Sequence, residues 1–76
     1  MNLSKLTQGE QFIVKWQYKI GGGFCVALGE CMMYADDMNL QKLATVYPEE
    51  VRAIRSFKGN PGWWDRVKKS AGVEIP

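Results

Sequence analysis

Two cysteines, Cys25 and Cys31, are the residues of this 76-residue sequence best suited to nucleophilic, redox or metal chemistry, and no histidine accompanies them. If both lie on one helix, their spacing separates them by about 9 Å along its axis, more than the roughly 7 Å between Cα atoms that a disulfide tolerates. Two thiols without histidine also cannot complete the four-ligand set of a structural zinc site. We therefore interpret both cysteines as small buried residues in a reducing compartment, and we predict no disulfide, metal or cofactor.

Carboxylates and glycines are the other groups that could carry chemistry. The acidic residues Asp36, Asp37, Glu49 and Glu50 fall where helices are predicted to begin, a position that favours negative charge, and no base or nucleophile stands beside them. The triplet Gly21–Gly23 is not followed by a Walker lysine or a complete G-x-G-x-x-G motif, so it is interpreted as a turn between helices. The sequence therefore predicts a protein that is not an enzyme.

The charges are distributed unevenly along the chain although the net charge is only +2. Residues 1–50 contain four lysines and six acidic residues, whereas residues 51–76 contain six basic and two acidic residues. Arg52, Arg55 and Lys58 are spaced to lie on one flank of a helix, and Arg66 follows the tryptophan pair. Three interpretations remain open: a solvated face, a protein-binding surface, or a nucleic-acid-binding surface.

Aromatic residues supply the strongest functional indication. Trp63 and Trp64 cannot both point into one core, because neighbouring residues of a helix diverge by about 100°. Val14 and Tyr18 are predicted to lie on the outward side of the first helix. Surplus aromatic surface on so small a core indicates a partner or a homodimer. The predicted partner-binding residues are Trp63, Trp64, Arg52, Arg55, Lys58, Arg66 and Tyr18.

The elements that position these residues are predicted to be four or five short helices in one all-α domain spanning residues 1–76, with residues 73–76 as a loose tail. Hydrophobic spacing places helices over residues 8–20, 23–35, 38–47, 48–59 and 63–71. The spacing of Phe24, Ala27, Leu28, Cys31 and Ala35 is interpreted as a core-facing pattern.

Residues 12–20 have an alternative interpretation. Apolar and polar residues alternate there as in a strand, which would give a small α+β fold. Thr7 and Glu10 form a possible capping box, and the glycine triplet supplies a stop, so we favour a helix.

A resemblance covers about half of the chain. It rests on Gly23-Phe24, Tyr34-Ala35-Asp36, Asn39-Leu40, Lys42-Leu43 and Tyr47-Pro48-Glu49-Glu50-Val51. This pattern resembles small uncharacterised helical proteins of tailed bacteriophages and prophages, in which phenylalanine is expected at the position of Tyr47.

The resemblance implies a binding protein in the host bacterial cytoplasm. Such a protein would inhibit or modulate a host protein by blockade without catalysis, for example as an anti-defence (anti-CRISPR) protein. The alternative is a nucleic-acid-binding regulatory protein that uses the C-terminal basic face. The longest apolar run is five residues, Phe24–Leu28, and no signal peptide is evident, so no membrane association is expected.

Overall fold

A computed structural model describes residues 2–72, and in this range it contains five α-helices and no β-strand. The helices are α1 (Gln8–Gln17), α2 (Gly22–Tyr34), α3 (Asp37–Ala44), α4 (Pro48–Gly59) and α5 (Trp63–Ser70). The all-α prediction is confirmed, and the alternative of a strand over residues 12–20 is wrong because α1 runs through residue 17 and ends in a turn. The predicted tail, residues 73–76, lies outside the described residues.

Local hydrogen bonds fix where the helices begin. The Thr7 hydroxyl accepts from the backbone N–H of Glu10 at 3.1 Å, and the Glu10 carboxylate accepts from the backbone N–H of Thr7 at 2.9 Å. The Asp36 carboxylate accepts from the backbone N–H of Asn39 at 2.8 Å and caps α3. Pro48 opens α4, where its missing N–H costs no helical bond. The predicted capping box and the predicted helix start at residue 48 are confirmed, and Asp36 lies at a helix start as expected.

The end of α1 differs from the prediction, because the helix stops three residues before the expected Ile20. The N–H of Lys19 donates to the carbonyl of Trp16 at 3.2 Å, and the N–H of Ile20 donates to that of Lys15 at 2.9 Å. This is a Schellman motif, and Lys19 occupies its left-handed position with φ of 56°. The glycines then serve the start of α2, where Gly22 has φ of 86°.

Helix α1 lies at the centre of the fold and packs mainly against α4. The two helices approach closely at Gly9, where an added Cβ atom would lie 2.5 Å from the carbonyl oxygen of Glu49 and 3.0 Å from the Cβ of Ala53. Five side chains with almost no solvent exposure form the centre of the core: Ile13, Val14, Met32, Ile54 and Val67.

Val14 was predicted to face outward, and this prediction is wrong. Ile13 and Val14 point about 100° apart on α1, yet both are fully buried. This is possible because α1 is covered on more than one side, by α4 and by α2.

Helix α2 rests on α1 through a tryptophan–glycine contact. The indole ring of Trp16 lies against the backbone of Gly29, in space that any side chain at position 29 would occupy. Within α2 the buried residues are Gly29 and Met32. Four further residues are partly buried against the core: Cys25, Val26, Leu28 and Met33. The opposite side of this apolar helix is exposed. None of the helices in residues 2–72 combines the length and apolar character that a membrane crossing requires.

Candidate protein-binding surface

The aromatic residues predicted to bind a partner lie at one corner of the fold, where the end of α1 meets α4 and α5. Trp63 is 7% exposed and belongs to the core. Trp64 is half-buried, and its ring lies 5.7 Å from that of Phe57 and 6.2 Å from that of Tyr18. The ammonium group of Lys68 lies 5.5 Å from the centre of the Trp64 ring. One tryptophan is therefore anchored and the other partly covered, whereas Tyr18 is 39% exposed, on the outward side predicted for it.

The predicted basic residues are exposed, but each contacts a group of its own chain. Arg52 pairs with Glu49 at 3.3 Å and Arg55 with Asp37 at 3.1 Å. The Arg52–Glu49 pair lies within α4, whereas the Arg55–Asp37 pair and the remaining two contacts join different helices.

Arg66 on α5 reaches the Glu10 carboxylate of α1 at 3.7 Å. Lys58 donates a hydrogen bond of 3.3 Å to the backbone carbonyl of Met33 near the end of α2. Exposed pairs of this kind stabilise a fold by about 1 kcal/mol or less. The carboxylates paired with Arg52, Arg55 and Arg66 nevertheless partly neutralise the positive charge that a nucleic acid would meet.

The largest exposed apolar side chains lie elsewhere, on the outer side of α2. Phe24 is 68% exposed and Tyr34 is 86% exposed, and Ala27 and Cys31 between them are also exposed. These four residues form one line along the helix, which we call the α2 stripe. The interpretation of Phe24, Ala27 and Cys31 as core residues is wrong, because α1 and α4 cover the opposite side of α2.

A groove between α2 and α3 extends this apolar surface. Its volume is about 410 Å³. Near the start of α2, the ring of Phe24 lies 6.2 Å from that of Tyr47, which follows α3. Val46, beside Tyr47, is 68% exposed. The groove is lined by Cys31, Tyr34, Ala35, Asn39, Lys42 and Leu43. We call the α2 stripe and this groove together the α2–α3 face.

Charge is sparse on this face. The only charged residue in the sequence of α2 is Glu30, and its carboxylate accepts a hydrogen bond of 3.3 Å from the indole N–H of Trp16. Glu30 is therefore turned toward α1 and away from the centre of the stripe. Lys42 contributes a positive charge at the groove. An occupant of this face therefore meets aromatic and aliphatic surface with a cation at one edge.

The two cysteines have different environments, which corrects the expectation that both are buried. Cys31 is exposed within the α2 stripe, whereas Cys25 is half-buried. Burial raises the pKa of the Cys25 thiol, and the positive charge of Lys15 opposes that rise. Both are free thiols, and their difference in exposure offers a chemical probe of the α2 stripe.

The spacing of the α2 stripe was visible in the sequence, but its exposure was not. Phe24, Ala27, Cys31 and Tyr34 follow one another at intervals of three, four and three residues, which fits a core-facing helix and an exposed helix seam equally well. Whether the pattern is core-facing or exposed depends on which side of α2 the rest of the chain covers, and the Trp16–Gly29 contact determines that side.

Comparison with protein-family models, curated proteins and solved structures found no match for this chain.

Proposed function

We propose that this protein is a non-catalytic protein-binding module whose contact surface is the α2–α3 face. The observation that carries this proposal is the exposure of Phe24 and Tyr34 on a helix that has a single charged residue. An aromatic side chain can bury 150–250 Å², so these two rings alone offer on the order of 300 Å². Patches of this size on small proteins are often functional.

The manner of binding follows from the chemistry of the surface. Apolar contact along a helix and a groove suits a helix or an extended apolar segment of another protein. The resemblance to small proteins of tailed phages favours a bacterial host protein as the target. Bound there, this chain would act as an inhibitor or modulator by occupying the target's surface.

Nucleic-acid binding has less support as an alternative. Phosphate contacts require basic side chains that are free to turn toward a backbone. Arg52, Arg55 and Arg66 each face a carboxylate of the same chain. On the α2–α3 face, the groove offers a phosphate backbone a single cation, that of Lys42.

The test is capture from a nuclease-treated bacterial lysate with three tagged proteins analysed by quantitative mass spectrometry. They are the wild type, Ala27→Glu in the middle of the α2 stripe, and the control Gln41→Glu. Gln41 is also an exposed helical residue, so both variants add one negative charge to a helix surface. The proposal expects proteins retained by the wild type and by Gln41→Glu but lost from Ala27→Glu. Equal retention by all three proteins would show that the α2–α3 face is not the contact surface.

A further inference from the structure

We infer that the groove between α2 and α3 binds a segment of the partner protein in which an apolar side chain stands beside a carboxylate. The apolar side chain enters the groove, and the carboxylate pairs with the ammonium group of Lys42. The inference rests on the proposed function, because it names the chemistry of the partner segment that the α2–α3 face binds.

The walls of the groove are mostly apolar. Tyr34 and Ala35 line it at the end of α2, and Leu43 lines it from α3. Its volume of about 410 Å³ falls in the range of about 300–1,000 Å³ that is typical of sites for small organic groups. An apolar side chain of a partner therefore finds carbon surface on both walls, and removing that surface from water favours binding.

Lys42 supplies a positive charge that no group of its own chain neutralises. Residues 22–47 contain three acidic residues and one basic residue, Lys42. The ion pairs formed within residues 2–72 do not include this lysine. Lys42 is exposed and lines the groove, so its ammonium group is open to a carboxylate from outside the chain.

The three acidic residues of this region are held by other contacts. The Glu30 carboxylate accepts a hydrogen bond from the indole N–H of Trp16. The Asp36 carboxylate caps α3, and Asp37 pairs with Arg55 of α4. None of these three described residues is among those that line the groove. A carboxylate in the groove therefore meets a cation without an acidic neighbour on its walls.

Asn39 adds a second polar donor beside the lysine. Asn39 and Lys42 are three residues apart on α3, so they lie on the same side of the helix, and both line the groove. The amide N–H of Asn39 can donate to a carboxylate whose charge the Lys42 ammonium balances. Hydrogen bonds to an ionised group are roughly twice as strong as those between neutral groups. The groove therefore suits a carboxylate better than a neutral polar group.

Titration of isotope-labelled protein with three matched peptides, followed by nuclear magnetic resonance, tests this inference. The peptides are acetyl-Leu-Phe-Glu-Leu-amide and its counterparts with Gln or Lys in place of Glu. At millimolar peptide concentration, the backbone amide signals of Tyr34, Asn39 and Leu43 are expected to shift. The glutamate peptide is expected to bind about two- to five-fold more tightly than the glutamine peptide, as for an exposed ion pair. This preference is expected to shrink at high salt.

Substitutions of Lys42 test whether this residue reads the charge of the peptide. Lys42→Gln is expected to bind the glutamate and glutamine peptides equally, and Lys42→Glu is expected to prefer the lysine peptide. Lys69→Glu makes the same change of charge on the exposed surface of α5 and is expected to keep the wild-type preference. Circular dichroism checks that all three variants are folded.

Three results would each overturn the inference: equal binding of the three peptides by the wild type, no shift of the groove signals, or a preference that the Lys42 variants leave unchanged. The lysate capture with Ala27→Glu judges the proposed function separately, because it does not depend on the charge of a peptide. Capture of proteins through the α2–α3 face, together with equal binding of the three peptides, would overturn this inference and leave the proposed function standing.

Discussion

Replacing Gly29 with alanine removes the space in which Trp16 supports α2. A Cβ atom at this position would lie 2.6 Å from both Cδ1 and Cδ2 of the indole ring, whereas carbon atoms normally make contact at about 3.5–4.0 Å. The ring cannot easily withdraw, because Trp16 is 4% exposed and its edge lies against Phe57, with 5.5 Å between ring centres. Either α2 or the indole therefore has to move by about 1 Å.

The cost of overpacking at Gly29 is partly offset by the higher helix propensity of alanine. Overpacking of a core costs about 1–3 kcal/mol, and this substitution introduces contacts at the severe end of that range. Alanine in place of glycine within a helix returns about 1 kcal/mol. We therefore expect Gly29→Ala to lower the free energy of unfolding by about 1–2 kcal/mol. For a domain of this size, Tm should fall by about 4–8 °C for each kcal/mol.

Urea and thermal unfolding followed by circular dichroism measure this effect. Gly23→Ala is the matched control, because it lies in the same helix and an added Cβ would meet nothing within 4 Å. The control should be neutral or more stable by up to about 1 kcal/mol. If Gly29→Ala is as stable as the wild type or more stable, α2 does not rest on Trp16, and the exposure of its outer side loses its structural basis.

Three further perturbations test the α1–α4 packing, the end of α1 and the exposure of Cys31. Gly9→Ala should destabilise the protein by about 1–3 kcal/mol in urea unfolding, because its Cβ would lie 2.5 Å from the Glu49 carbonyl oxygen; an unchanged midpoint would contradict the close α1–α4 approach. Lys19→Gly should raise Tm through a gain of up to about 1 kcal/mol, because a left-handed conformation strains a residue that has a Cβ; a lower Tm would refute this. Brief alkylation at neutral pH should modify Cys31 before Cys25, because burial shields the Cys25 thiol and raises its pKa. Peptide mass spectrometry measures the order, and faster labelling of Cys25 would contradict the described exposure.

Helix starts were predictable because they depend on neighbouring residues. The Thr7–Glu10 box, the Asp36 cap and the Pro48 start each join residues within three positions of one another or need a single residue. The end of α1 was predicted incorrectly, because glycine is the usual left-handed residue and Lys19 takes that position instead. Such a substitution leaves no signal in composition or periodicity.

The binding surface was harder to predict because exposure depends on contacts between distant residues. Periodicity gives the angular positions of side chains around a helix but not which of them a neighbouring helix covers. Val14 is buried because α1 is covered on two sides, and Phe24 is exposed because α2 is covered on one. The sequence indicated surplus aromatic surface and placed it at Trp63 and Trp64. The fold buries Trp63 and partly covers Trp64, so the larger exposed surface lies on α2.

Site-specific photo-cross-linking in bacterial cells tests the central claim, that the α2–α3 face is the protein contact surface, most directly. The photoreactive residue p-benzoylphenylalanine would replace Tyr34 on the stripe, Trp64 at the aromatic corner, or Gln41 as a control in three separate proteins. The account predicts strong cross-linked species, to a second copy or to another protein, from position 34 and little from positions 64 and 41. Cross-linking from position 64 without cross-linking from position 34 would contradict it.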